Sequence, residues 1–139
     1  NDAYNASPEA MAAALQTLVL FAQERGGESW AFLGKMHELG ESSDADHADI
    51  GTLASELGID HLICVGAPEY GAKIASGGAT AVHMCADIAA ALGVAANINP
   101  GDVALVKASR SEKLEVLADS ISAQWLEKIE KMKESEENA

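Results

Sequence analysis

Aromatic rings are scarce in this sequence: Phe, Trp and Tyr together make up 4% of 139 residues. A core without rings is filled by Ala, Val, Leu and Ile, and a chain of this length can bury one such core without disulfides or metal. Cationic side chains are also few, 9 Lys+Arg against 22 Asp+Glu, for a formal charge of -13. That balance repels a phosphate backbone, whose affinity for proteins comes from cationic groups that release condensed counterions, so nucleic acid is not an expected partner. There are two cysteines, Cys64 and Cys85, each in or beside an apolar run, and they read as reduced packing residues. No apolar run approaches the ~20 residues of a membrane span, and Asn1-Asp2 does not open a basic, then apolar, leader. A cytoplasmic location is the resulting expectation, and the polar opening reads as the cut edge of a longer chain.

What is present is a regular alternation of short apolar runs with helical patterns, which predicts βα units, a mostly parallel sheet and helices on both faces, a three-layer Rossmann-like α/β domain. Ser7-Pro8 starts a helix, Ser by accepting from free N–H groups and Pro by losing no needed donor. Met11, Leu15, Leu18 and Ala22 mark its inner face, and Gly26-Gly27 ends it. Trp30 to Leu33 is a buried strand, followed by a loop from Gly34 to Gly40. Ser42, Ser43 and Asp44 are candidate caps for a helix facing inward through Ile50, Leu53, Ala54 and Leu57 and closed by Gly58. His61 to Val65 is the next strand. A short helix is expected from about Glu69 to Ser76, then a weaker strand from Ala79 to Met84. Asp87 caps a helix through Ala96, and Asn99 to Asp102 forms a turn into a strand from Val103 to Val106. The last helix, expected from near Ser111, carries Leu114, Leu117, Ile121, Trp125 and Ile129 at spacings of three and four. The domain is thus expected over residues 1–133, with Glu134 to Ala139 an acidic, frayed or disordered end.

In open α/β sheets, ligands bind beyond the carboxyl ends of the strands. Three polar stretches fall there: Asp2 to Asn5, Gly34 to Glu38, and Lys107 to Arg110. Asp2 offers acceptors suited to ribose hydroxyls, Asn5 a donor and an acceptor, and Lys107 and Arg110 charge for phosphate or carboxylate. Spacing alone favours reading Asp2 and Asn5 as turn formers that bond their own backbone, and equally allows Lys107 and Arg110 to be solvated charges at a helix start.

Other candidates fail on chemistry. Gly66 to Lys73 follows a strand, but a phosphate loop needs Gly-Lys-Ser/Thr in succession, and here Ala72 precedes the lysine and Ile74 follows it. His37, Glu38, Asp44, Asp46 and His47 lack compact metal-ligand spacing and read as loop residues, with His47 at the core edge. His61 and His83 read as strand residues. No Ser, Cys and His set forms a nucleophilic apparatus.

Taken together, the rim motifs make the chain resemble the carboxyl-terminal domain of the Mur ligases. The family's D-x-Y-N-A-N-P is met from Asp2 to Pro8, L-G-x-M-x-E-L-G from Leu33 to Gly40, and P-G-D-V-x-L-V-K-x-S-R from Pro100 to Arg110. Ser7 stands where the family usually has Asn, and Lys35 where an acidic residue is common, so no shared role passes to the Lys35 side chain. The wording is nearest to the family branch that joins D-Ala-D-Ala to UDP-MurNAc-tripeptide in peptidoglycan precursor synthesis.

The resemblance implies a three-domain enzyme using ATP and Mg2+, both held mainly by a central domain that carries the phosphate loop. It implies nucleotide contacts from Asp2, Tyr4 and Asn5 and substrate positioning by Lys107, Ser109 and Arg110, with no catalytic side chain and no metal ligand in this stretch. A Mur ligase adding a single amino acid, and a free-standing α/β binding module, are the alternatives. Oligomeric state and the choice between lysine and diaminopimelate in the tripeptide are not encoded legibly.

Overall fold

The computed structural model describes residues 6–137. Helix α1 (Pro8–Arg25) begins as its caps dictate, with Ser7 Oγ accepting from Ala10 N–H at 3.2 Å, and ends on Gly26 at φ 74°. Strand β1 (Ser29–Gly34), helix α2 (Ser43–Glu56), strands β2 (His61–Val65) and β3 (Ala81–Cys85), helix α3 (Ile88–Ala95), strand β4 (Val103–Lys107) and helix α4 (Glu115–Glu137) follow. Asp87 caps α3 through its carboxylate, which accepts from Ala90 N–H at 2.9 Å.

All strand pairs are parallel and the sheet order is β3-β2-β1-β4. Met11, Leu15, Leu18, Ile50 and Ala54 of α1 and α2 cover one face, against Ala31, Leu33, Leu62 and Cys64. Ala91, Ala95, Leu117 and Ile121 of α3 and α4 cover the other, against Trp30, Phe32, Ile63 and Val65. Right-handed crossovers on opposite faces advance in opposite directions. The α2 crossover therefore carries the chain to one side of β1, and the α3 crossover returns it to the other. The three-layer α/β expectation holds, and β1, covered on both faces, is buried along its whole length.

Several boundaries differ from the sequence expectation. Instead of a helix over 69–76 there is a single 3-10 turn, Pro68–Gly71: Pro68 starts it, but too few residues precede Gly77-Gly78 to repay helix nucleation. Strand β3 runs over 81–85 rather than 79–84, because Thr80 is held back by its hydroxyl, which donates to Ile59 C=O at 2.6 Å. The last helix does not start at Ser111. A 3-10 turn at Arg110–Glu112 comes first, and Lys113 then takes a left-handed φ of 56°, which seats Leu114 in the core before α4 begins at Glu115. Residues 134–137 were expected to be frayed; α4 continues through them to Glu137, exposed throughout.

The amino ends of the strands are tied shut. Asp102 accepts from Glu28 N–H (2.9 Å), Asn99 N–H (3.0 Å) and Trp30 Nε1 (3.0 Å), and Asp60 accepts from Ser29 N–H at 2.8 Å. The His61 ring stacks on Trp30, centroids 3.6 Å apart, and its Nδ1 lies 3.3 Å from His83 Nε2. Burial, and secondarily the adjacent His61, lower the His83 pKa from 6.5. The unfolded chain thus takes up a proton near pH 6.5 that folded His83 resists, so its contribution to stability is complete above 6.5 and declines as the pH falls through the folded value. As the pH falls below 6.5, the native chain should lose stability to chemical unfolding more steeply than His83→Gln does; parallel slopes would contradict this.

Candidate functional site

The order β3-β2-β1-β4 has a switch point between β1 and β4, where consecutive connections leave in opposite directions, the kind of place at which open α/β sheets bind ligands. The residues following these two strands are Lys35 to Gly40 and Ala108 to Glu112. They are fastened together: Ser109 N–H donates to Lys35 C=O at 2.9 Å, His37 N–H donates to Ser109 Oγ at 2.8 Å, and His37 Nε2 lies 3.0 Å from Glu112 Oε2.

Gly34 permits this approach. A Cβ there would stand 2.7 Å from Ala108 Cβ and 2.8 Å from Leu114 Cδ1, inside van der Waals contact, so any side chain would push the two loops apart. From beneath, the Tyr70 hydroxyl donates to Gly34 C=O at 2.7 Å. Burial first, then Cys64 and Glu69, raises the Tyr70 pKa, which keeps the phenol protonated as a donor. Tyr70 reaches this point because Gly51 of α2 lies against its carbonyl, where a Cβ would collide.

The loop after β1 has a second brace. Met36 N–H donates to His47 Nε2 at 2.9 Å, and His47 Nδ1 faces Ser43 C=O at 2.6 Å. An accepting Nε2 fixes the neutral tautomer with its proton on Nδ1. His47 is therefore a buried strut, fixed on both nitrogens, while the Met36 side chain is wholly buried below it. Glu38, at φ 62°, turns the loop in a conformation that non-glycine residues seldom adopt.

Charge is unevenly shared. Although the chain is strongly acidic, Lys35, Lys107, Arg110 and Lys113, four of its nine Lys+Arg, lie on or beside these two loops. Lys107 is buried, 3% exposed, at the end of β4, whereas Arg110 is exposed. A rim of this kind suits an anion such as a carboxylate or a phosphate, with guanidinium and backbone N–H groups as donors.

The structure brings Lys107, Ser109 and Arg110 onto one loop against Lys35 to His37; Asp2, Tyr4 and Asn5 lie outside the described residues. The helix they precede has its amino end at this same rim, because α1 runs back to the start of β1. Gly66 to Lys73 forms no cradle: Lys73 Nζ reaches Asp49 on α2 at 3.2 Å. Among the described residues no three His, Cys, Asp or Glu side chains gather into a possible metal site. Nor do the cysteines fit a nucleophile's role. Burial, then Cys85 and Glu69, pushes the Cys64 thiol up to about 12, and burial, then Asp87, raises Cys85. Sequence reasoning named Ser109 as a rim residue but missed the bracing by Tyr70 and His47, whose partners lie 36 and 11 residues away.

Comparison with known proteins gives a consistent picture. The family "Mur ligase, glutamate ligase domain" matches residues 1–110. The chain is 43% identical to UDP-N-acetylmuramoyl-tripeptide--D-alanyl-D-alanine ligase of Mycobacterium tuberculosis, over 88% of this chain and 28% of that protein. It is 35% identical to the ligase of the same name from Bacillus subtilis, over 87% and 27%. Among solved structures, MurF ligase from Thermotoga maritima in complex with ADP matches with a TM-score of 0.70 at 29% identity, covering 88% of this chain and 27% of that one. MurF from Acinetobacter baumannii matches at 0.68 and 32%, covering 86% and 27%. The chain thus spans about a quarter of the length of these relatives.

Two substitutions test the rim. Gly34→Ala should destabilise the fold by about 1–3 kcal/mol through overpacking. Ser109→Ala, losing one partly exposed hydrogen bond, should cost about 1 kcal/mol but markedly speed hydrogen exchange at the His37 amide. A His37 amide that exchanges as slowly as in the native chain would show that the Ser109 hydroxyl does not hold the loop after β1.

Proposed function

Since the chain belongs to the Mur ligase family and corresponds to its glutamate ligase domain, we propose that it is the carboxyl-terminal part of a cytoplasmic, ATP-dependent ligase joining D-Ala-D-Ala to UDP-MurNAc-tripeptide. The observation that carries this reading is the cationic rim fastened at the β1/β4 switch point, in a chain 43% identical to a ligase of that name. No helix among the described residues is long and apolar enough to cross a membrane.

In such a reaction the tripeptide carboxylate takes the terminal phosphoryl group of ATP, releasing ADP. The amine of the dipeptide then attacks the acyl carbon, and phosphate leaves. ATP and Mg2+ would be held mainly outside this stretch, where a phosphate loop supplies the main grip. The part proposed for this chain is to bind and to cover. Lys107, Ser109 and Arg110 would place the incoming dipeptide or the tripeptide end, and Asp2, Tyr4 and Asn5 would meet the nucleotide.

Fixing two reactants in line removes translational and rotational freedom before reaction, an effect of roughly 7–11 kcal/mol at its extreme. The rim is suited to that work because its loops are braced from below by Tyr70 and His47. Covering the site also excludes water, which matters for an acyl phosphate that hydrolyses readily.

Phosphate release by the full-length parent, supplied with UDP-MurNAc-tripeptide and ATP, should require D-Ala-D-Ala and not be supported by single amino acids. Asp2→Ala and Lys107→Ala should each lower it, by on the order of 100-fold, with thermal unfolding showing both variants folded. Dipeptide-independent activity would contradict the ligase assignment, and undiminished activity in the variants would return both residues to structural roles. The 139-residue chain alone should show no ligase or ATPase turnover.

A further inference from the structure

We propose that His61 and His83 form a two-histidine zinc site that ties the edge strand β3 to β2 at the amino ends of the sheet. The parallel register sets Ala81 opposite His61 and His83 opposite Ile63. Alternation along each strand therefore turns both histidines to the face that also carries Trp30 and Ile63. There His61 Nδ1 and His83 Nε2 come within 3.3 Å, with the ring planes 31° apart. Two imidazole nitrogens bound at roughly 2.0–2.1 Å to one tetrahedral zinc stand about 3.3 Å from each other. The spacing between the rings is thus already that of a shared ion.

The surroundings of His61 sort its two nitrogens. The ring is held flat on Trp30, with an interplanar angle of 11°. Its Nε2 is buried, makes no hydrogen bond among the described residues, and faces Glu28 Oε2 at 3.5 Å. A proton on Nε2, directed at that carboxylate, leaves the Nδ1 lone pair toward His83. An imidazole whose far N–H points at a carboxylate is the usual form of a metal-bound histidine. Zinc on Nδ1 withdraws electron density from the ring and makes Nε2–H a stronger donor, so the ion would draw Glu28 into the hydrogen bond that the metal-free chain leaves unmade.

His83 is half-buried on the last strand of the sheet, where its ring can turn until both lone pairs converge on one ion. Two protein ligands are fewer than the three of a catalytic zinc or the four of a structural one. Water fills the remaining positions, and the ion exchanges with solvent. What it adds is a cross-link. Strand β3 has only five residues, pairs with β2 alone, and follows a stretch, 75–79, that is exposed throughout. Its first amide, Ala81 N–H, donates to Asp60 C=O at 2.8 Å, and an ion held by the side chains of residues 61 and 83 would clamp that start in place.

The test is a titration of the chain, isotope-labelled at histidine, with zinc chloride. The ring-nitrogen resonances of His61 and His83 should move together along one binding curve, while those of His37 and His47 stay in place. Exchange of the Ala81 amide should slow at least ~10-fold at saturating zinc. His83→Gln should abolish both responses with its amide spectrum otherwise native. Glu28→Gln, a change at a side chain more than half exposed, should keep the fold and weaken zinc affinity on the order of 10-fold. Zinc shifts centred on His37 or His47, rings of His61 and His83 that do not respond, or an undiminished response in His83→Gln would each overturn the proposal. An affinity unaltered in Glu28→Gln would overturn the part assigned to that carboxylate.

Discussion

The rim depends on how closely β1 and β4 can bring together the loops that follow them, and Gly34 sets that distance. With only a hydrogen in place of a side chain, the end of β1 can lie against Ala108 and Leu114. Ser109 can then reach across to bond both Lys35 and His37. The same glycine presents its carbonyl to Tyr70, so a single residue joins the two loops to each other and to the core beneath. The remaining braces follow from that placement. Met36 is drawn down into the core, its N–H meets His47, and the chain turns at Glu38 into the start of α2.

What this arrangement offers chemically is fixed donors and positive charge. No thiol is available, since burial keeps Cys64 protonated. Nor is there an unengaged histidine at its base, because His47 is held on both ring nitrogens. A cationic lip held in place by these bonds suits an anion such as a carboxylate or a phosphate. The opposite end of the sheet is locked by Asp60 and Asp102.

Much of the fold was legible because its signals are local. Ser7-Pro8 and Asp87 announce helix starts through side-chain caps, and both cap as expected. The apolar run from His61 to Val65 matches β2 at both ends. Where the sequence misled, a competing local preference or a distant contact decided. Thr80 bonds Ile59 and delays β3, and Lys113 turns left-handed so that Leu114 can enter the core. The site was half legible. Motif wording marked Lys107, Ser109 and Arg110, but nothing near Ser109 shows that its hydroxyl meets an amide 72 residues earlier. Likewise Tyr70 lies in a stretch whose spacing suggested a failed phosphate loop, and its role appears only once the chain folds it under Gly34.

The most direct measurement is amide chemical-shift mapping of the full-length protein, labelled within this domain. UDP-MurNAc-tripeptide, D-Ala-D-Ala and a non-hydrolysable ATP analogue would be added in turn. The account predicts that shifts concentrate at Gly34 to Glu38 and Lys107 to Glu112, and that Ser29, Asp60 and Asp102 at the far end stay silent. Shifts centred on that far end, with the rim unchanged, would contradict it.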